Sequence, residues 1–325
     1  MMLSSYYNRL IYMFKTGIRR IKHDKFYMLL LFPAGLILGI FLMILMILVS
    51  KSIPIFRLEG LSFILKNSWH AVEGKPEEEF YGIAAALFGT FYVGFLSLLI
   101  STPIAVSWAI ILGEFLSGHS QSIVSSLLEF ASGMPTVLYG LWGALFLTRF
   151  LKRYVMEPIY AKLHWVPIFS TKPTSGFTMM SACIILALMI TPIQSLIMFN
   201  AYRLIPQTYT EALYALGLTR GEVVRFKLKL IRPTIILAGL IGFSRAIGET
   251  IAVSLVIGNS FYLGLSIFAP GYTIPSLIAS QFGNCGLYAY MENALYASAL
   301  ILLLLGFIFH YVIMLVDKRA RWYRI

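Results

Sequence analysis

Residues 234–258 read TIILAGLIGFSRAIGETIAVSLVIG, an apolar run broken by just two charges, Arg245 and Glu249, four residues apart. As one helix it would be about 37 Å long at 1.5 Å per residue, enough to cross the ~30 Å hydrocarbon core of a bilayer. Arg245 lies 11 residues into this run, about 16 Å along a continuous helix and close to the bilayer midplane. An arginine there costs roughly 2.5–3.5 kcal/mol on insertion scales, so a span that keeps one has a use for it.

The rest of the chain agrees with a membrane reading. Of 325 residues, 59% are hydrophobic and 12% charged, against about 45–50% and 25% in soluble domains. Too little polar surface remains to coat a soluble globule, and a disordered, collagenous or disulfide-stapled chain is excluded as well. Five further apolar runs of spanning length lie at 28–49, 83–112, 127–148, 177–199 and 293–316. The fold expected is therefore all-α and integral to the membrane, with six transmembrane helices. The run at 28–49 reads as a retained span, because it is longer than a signal-peptide core and no A-x-A site follows it.

The net charge of +12 sorts by side of the membrane. Sixteen of the 26 basic residues fall in 1–27, in the 200–233 loop and in the 317–325 tail; nine lie in the opposite segments. The positive-inside rule then places both termini in the cytoplasm. Segment 50–80 becomes an outer loop, and 81–316 the main transmembrane domain. Cys183 and Cys285 are too few for a disulfide framework or a structural zinc site. The five histidines are scattered singly, so no metal or catalytic cluster is expected.

Three spans carry helix breakers: Pro103 in the second, Pro135 after Gly133-Met134 in the third, and Pro192 in the fourth. Each removes a hydrogen bond that lipid cannot replace. They mark either kinked packing helices or bent helices lining a translocation path. The segment Ser244-Arg245-Ala246-Ile247-Gly248-Glu249-Thr250 likewise has two readings. One is a buried ion pair that fixes the bundle. The other is an anion site, in which the guanidinium offers a fork of donors to a tetrahedral oxyanion. Glu249, four residues on, would share its helix face and hold the guanidinium when the site is empty, or accept a proton from a protonated anion.

The 200–233 loop is the one substantial polar segment expected inside. Thr208-x-x-Glu211 and Thr219-x-x-Glu222 both read as capping boxes, and Gly217 as the glycine that stops the first of two short helices. Arg220, Arg225, Lys227 and Lys229 rim it. A solvated loop against anionic lipid and a docking element for a cytoplasmic protein both fit; tethering at each end by membrane spans disfavours a DNA-binding helix-turn-helix.

Glu211-Ala212-Leu213-x-x-x-Gly217 resembles the EAA motif of binding-protein-dependent ABC importer permeases. Residues 132–143 (SGMPTVLYGLWG) are similar to a segment of the phosphate-specific Pst permeases, and 245–259 (RAIGETIAVSLVIGN) look PstC-like rather than PstA-like. The resemblance covers roughly 80–316. Two departures stand out: Leu213 replaces the usual Ala, and Lys229-Leu230 stands where Leu-Pro is usual, with Pro233 following.

The resemblance implies a type I importer permease fold in a bacterial inner membrane, carrying phosphate inward. Its implied partners are a PstA-like second permease, two PstB-like ATP-binding subunits, a PstS-like external binding protein and membrane lipid, with no nucleic acid. It implies that Arg245, Glu249, Ser244 and Thr250 line the substrate pathway. It also implies that Glu211, Ala212, Gly217 and Arg220 couple to the ATPase. No G-x-x-x-x-G-K-[ST] nucleotide loop is present, so the chain is expected to be no enzyme and to hold no cofactor, with ATP bound by a partner. Sulfate or molybdate permeases share the plan, and a signalling membrane subunit could use the same loop. A membrane phosphatase or transferase would need clustered acid, base and electrophile, which the scattered histidines do not supply.

Overall fold

In a computed structural model, residues 25–322 are described, with side chains from 29 to 317. The terminal stretch 1–24, read above as a basic cytoplasmic arm, lies outside the described residues, as do the side chains of the basic tail from Lys318. The chain divides into two compact units, Met1–Lys51 and Ser52–Ile325, and each is considered by itself.

Helix α1 (Lys25–Glu59) is longer than the run at 28–49 suggested. The expected outer loop at 50–80 therefore starts only at Gly60, whose φ of +56° turns the chain out of the helix. The extension has a packing reason: Ile55 is fully buried with Phe63, Tyr81 and Ile83. A two-residue antiparallel ladder, β1 (Trp69–His70) on β2 (Phe80–Tyr81), closes the outer loop in the register Trp69↔Tyr81.

The second unit is built round α2 (Ala84–Ile110, extended by a π turn Ile111–Phe115) and α5 (Met179–Arg203). The inward stripe of α2 is almost all small residues, among them Ala86, Thr90, Gly94, Ser97, Ser101 and Ala105. Small side chains let helix backbones approach closely, which is how helices associate where lipid supplies no hydrophobic drive. Helix α5 fills that stripe and is the most buried of the long helices.

Between them run α3 (Gly118–Gly133) and α4 (Thr136–Leu163), which meet at an 88° bend. The run at 127–148 is thus not one crossing helix, because the chain turns at Met134-Pro135. Proline disfavours α geometry in the residue before it, and Met134 is indeed extended at ψ 136°. Pro103 and Pro192, by contrast, stay inside α2 and α5.

After α5 come α6 (Gln207–Ala215), α7 (Arg220–Leu230), α8 (Arg232–Gly248), the one-turn α9 (Ile251–Ser254), α10 (Ile274–Gln281) and α11 (Met291–Trp322). Helices α7 and α8 are bent by 63° at Ile231. Among the described residues four helices are long and apolar enough to cross a membrane, and up to six if each bent pair counts as one span. The protein is a multi-pass, mostly helical membrane protein. The last helix continues six residues past the expected start of the tail at 317, through Trp322.

The N-terminal half of α2 is locked to the segment that leads into α10. Thr90 Oγ1 donates to Ala86 O at 2.7 Å and accepts Ile274 N–H at 2.8 Å. One residue earlier, Gly89 lies directly against the Tyr272 carbonyl. A Gly89→Val substitution should force that backbone apart and cost about 1–3 kcal/mol, as overpacking does. A lowered Tm of the detergent-solubilised protein would report it.

Candidate functional site

The two motif blocks that resemble one family, separated by about a hundred residues, meet in space. Gly140 of α4 packs against the backbone of α9, where a Cβ would come within 2.7 Å of Ala252 Cα. Gly143, one turn on, faces Ile185 and Val256, with a Cβ 2.7 Å from Ile185 Cδ1. The helix that restarts after Pro135 is thereby seated on the segment that follows Glu249.

That second segment is itself broken. Helix α8 ends at Gly248, and Glu249 takes an extended conformation (φ −73°, ψ 122°). Glycine followed by the β-branched pair Thr250-Ile251 has little helical preference. The continuous helix expected over 234–258 is therefore corrected, and two consequences follow. Arg245 sits in the last turn of α8, rather than midway along a continuous helix. Glu249 does not share its helix face, and no ion pair joins the two among the described residues.

Each charge instead serves a helix end. The Glu249 carboxylate accepts Ala252 N–H at 3.3 Å, capping α9, while Arg245 lies at the C-terminal, negative end of the α8 dipole. Thr250 Oγ1 donates to the freed Gly248 carbonyl at 3.3 Å. The Arg245 side chain is exposed on the surface of the chain, and Ser244, Glu249 and Thr250 are half-buried. After α9 the chain turns at Gly258 (φ +89°) and Asn259 (φ +46°). Asn259 Nδ2 closes the turn on Ser254 O at 2.9 Å.

The prolines border apolar clefts. One of about 450 Å³ runs along the 88° bend, lined by Ala131, Met134, Leu138, Tyr139, Trp142 and, from α5, Leu188 and Pro192. A second of about 330 Å³, between Ile104, Trp108, Leu128, Thr191 and Pro192, lies beside Pro103. Neither of these two clefts is lined by a charged residue. Among the described residues no group of His, Cys, Asp and Glu is placed to hold a metal ion.

The 200–233 loop folds as two helices. Helix α6 buries no side chain, and Glu211, Ala212, Tyr209 and Tyr214 are exposed. It ends in a Schellman motif: Leu218 N–H reaches Leu213 O at 3.3 Å, and Gly217 N–H reaches Tyr214 O at 2.9 Å. The φ of +80° at Gly217 is what this motif requires. Of the two expected capping boxes, only the second contributes. The Glu222 carboxylate accepts both Thr219 N–H and Thr219 Oγ1–H at 2.8 Å. Thr208 lies inside α6, which starts after Pro206; proline's fixed φ takes over the role of a polar cap.

Arg220 and Lys227 do not rim the loop. Both turn back onto the π turn that ends α2. The Lys227 ammonium pairs with Glu114 Oε1 at 2.6 Å, with side chains only 11% and 9% exposed. Tyr202 Oη donates to the same carboxylate oxygen at 2.6 Å. Arg220 donates to the Glu114 carbonyl and lies 4.3 Å from the centre of the Phe115 ring. Sequence reasoning missed Glu114 and Tyr202. Its one available signal was a lone acid at the end of an apolar run.

The described residues form a membrane-type bundle of bent helices with an exposed two-helix loop at 207–230. The chain belongs to the family described as "Binding-protein-dependent transport system inner membrane component", which matches residues 80–322. It is 38% identical over 300 residues to the "Probable phosphate transport system permease protein PstC" of Methanocaldococcus jannaschii, covering 92% of this chain and 95% of the relative. The "Phosphate transport system permease protein PstC" of Xylella fastidiosa (strain 9a5c) is 34% identical over 269 residues, or 82% and 79% of the two chains. The chain is thus a multi-pass membrane subunit of a transporter.

Replacing Gly217 by Leu would place a branched side chain at φ +80°, a left-handed conformation costing about 1–2 kcal/mol for an L-residue. In open space this should reshape the end of α6 without unfolding the bundle. Unchanged Tm with an altered protease-cleavage pattern in 204–220 is the expected result.

Proposed function

We propose that this chain is the permease subunit through which an ATP-driven importer carries inorganic phosphate across a bacterial inner membrane. The observation that carries this reading is the identity, over nine-tenths of the chain, to a relative named as a phosphate permease. Arg245 supports it. An exposed guanidinium at the end of a spanning helix would cost several kcal/mol against lipid. It belongs on a face covered by water or by another subunit.

That face would be shared with a PstA-like second permease. Arg245, with Ser244, Thr250 and Glu249 beside it, would then offer donors to phosphate at the subunit boundary. Arginine suits this role, because its planar fork matches a tetrahedral oxyanion and it never deprotonates. A PstS-like binding protein outside would deliver the phosphate. Two PstB-like subunits inside would bind and hydrolyse ATP, leaving this chain without catalysis or cofactor. Helix α6, with Glu211, Ala212 and the Gly217 stop, would seat on one of them. ATP-driven closure would tilt α6 and rock the broken helices about Pro135 and Glu249, switching the side to which Arg245 is open.

In cells lacking the chain, radiolabelled phosphate uptake should be lost and restored by the wild-type gene. Arsenate should compete and sulfate should not; competition by sulfate alone would assign a different oxyanion. Arg245→Ala should remove about 1.5–3 kcal/mol of charge-assisted hydrogen bonding, lowering uptake roughly ten- to hundredfold while the complex still copurifies. Normal uptake in that variant refutes the anion role of Arg245.

A further inference from the structure

Helix α6 buries no side chain, and α7 buries only Val223 and Lys227. The exposed hairpin is therefore held to the bundle at few points, and the one charged side chain that α7 buries is Lys227. Its partner, Glu114, lies 113 residues earlier, in the π turn that closes α2. The same carboxylate oxygen takes the Tyr202 hydroxyl from the last turn of α5. The Glu114 carbonyl takes Arg220 from the first turn of α7. One acidic residue thus ties together the two central helices, α2 and α5, and both ends of the hairpin's second helix.

The surroundings are shaped to keep it in place. Gly113 lies flat against the Tyr202 ring, where a Cβ would fall 2.5 Å from Tyr202 Cδ1. Gln121 Nε2 donates to Leu112 O at 2.7 Å, tying α3 to the same turn. Lys227 Nζ also lies 5.2 Å from the centre of the Tyr202 ring. A π turn leaves backbone carbonyls out of register, and here side chains from two other elements collect them.

The geometry points to Glu114 as the joint through which hairpin movement reaches the membrane helices, making it a positioning residue for transport. Because Glu114 holds α2 and α5 to α7, a displacement of the hairpin drags both central helices together. Without the carboxylate, Arg220 still holds the first turn of α7 to the Glu114 carbonyl and the Phe115 ring, but the charged link from Lys227 near the far end of α7 is lost. That end of the hairpin can then move by itself while the ATPase works. The inference rests on reading α6 as the ATPase docking surface.

The test uses the complete complex in proteoliposomes. Phosphate imported per ATP hydrolysed should fall at least about fivefold in Glu114→Gln, the scale of a typical coupling energy, with copurified ATPase unchanged. Lys227→Met should behave alike, and Lys227→Arg, which keeps the charge, should retain most of the ratio. Nitroxides at the exposed Ser117 and Arg225, in a Cys285→Ser background, give a readout independent of substrate. With Glu114 present, their separation should stay single and narrow before and after trapping with ATP and vanadate; in Glu114→Gln it should broaden on trapping. A wild-type import ratio in Glu114→Gln, or identical distance traces with and without the carboxylate, overturns the proposal. So does loss of assembly in both Lys227 variants, which would make the contact a folding element. If the wild-type complex moves ATP-dependent cargo other than phosphate, the substrate reading fails while the distance measurement still decides the joint.

Discussion

A bilayer offers no hydrogen bond to a backbone group released from a helix, and the arrangement of this protein follows from that constraint. Its helices are broken or bent at Pro135, Glu249, Ile231 and the π turn after Ile110, and each break frees polar backbone. The freed groups are gathered by nearby side chains. Tyr139 Oη crosses the 88° bend to Ala131 O at 2.9 Å. Glu249, Thr250 and Asn259 serve the ends of α8 and α9. Gln121 and Arg220 serve the π turn. At the Pro135 bend, the Glu249 break and the π turn after Ile110, polar side chains take up backbone groups that the irregularity frees.

The breaks are also placed against one another. Glycines at 140 and 143 let the helix after Pro135 lie directly on the segment after Glu249, so two chain reversals share one contact. Helix α5, continuous through Pro192, passes behind both and contributes Leu188 and Pro192 to the clefts along the bend. A continuous, buried helix flanked by broken ones gives a stiff element around which the others can rock.

The charged side chains divide into two kinds. Arg245 is exposed and in no ion pair among the described residues; Glu114 and Lys227 are buried and paired. A lone buried carboxylate or ammonium would be far costlier than the pair, so the contact between α2 and α7 is all-or-none. An exposed Arg245 with no ion-pair partner among the described residues suits a pathway shared between subunits better than a structural role.

Membrane class, the Gly217 stop and the family were all legible from residues near each other in the chain. Apolar run length is local, a left-handed residue after a helix is local, and the three motif blocks are contiguous. The reading of Arg245 and Glu249 as a same-face pair failed because periodicity was carried through Gly248, where the helix stops. Pro135 was recognised as a break, yet nothing local to it sets an 88° turn, which depends on the seat that α9 provides. Glu114 was illegible because its partners lie 88 and 113 residues away, and no spacing rule spans that distance. The sequence by itself determined what must be buried in lipid and where helices can end. Only the tertiary structure decided which ends meet and which charges find each other, because those contacts join residues that the chain keeps far apart.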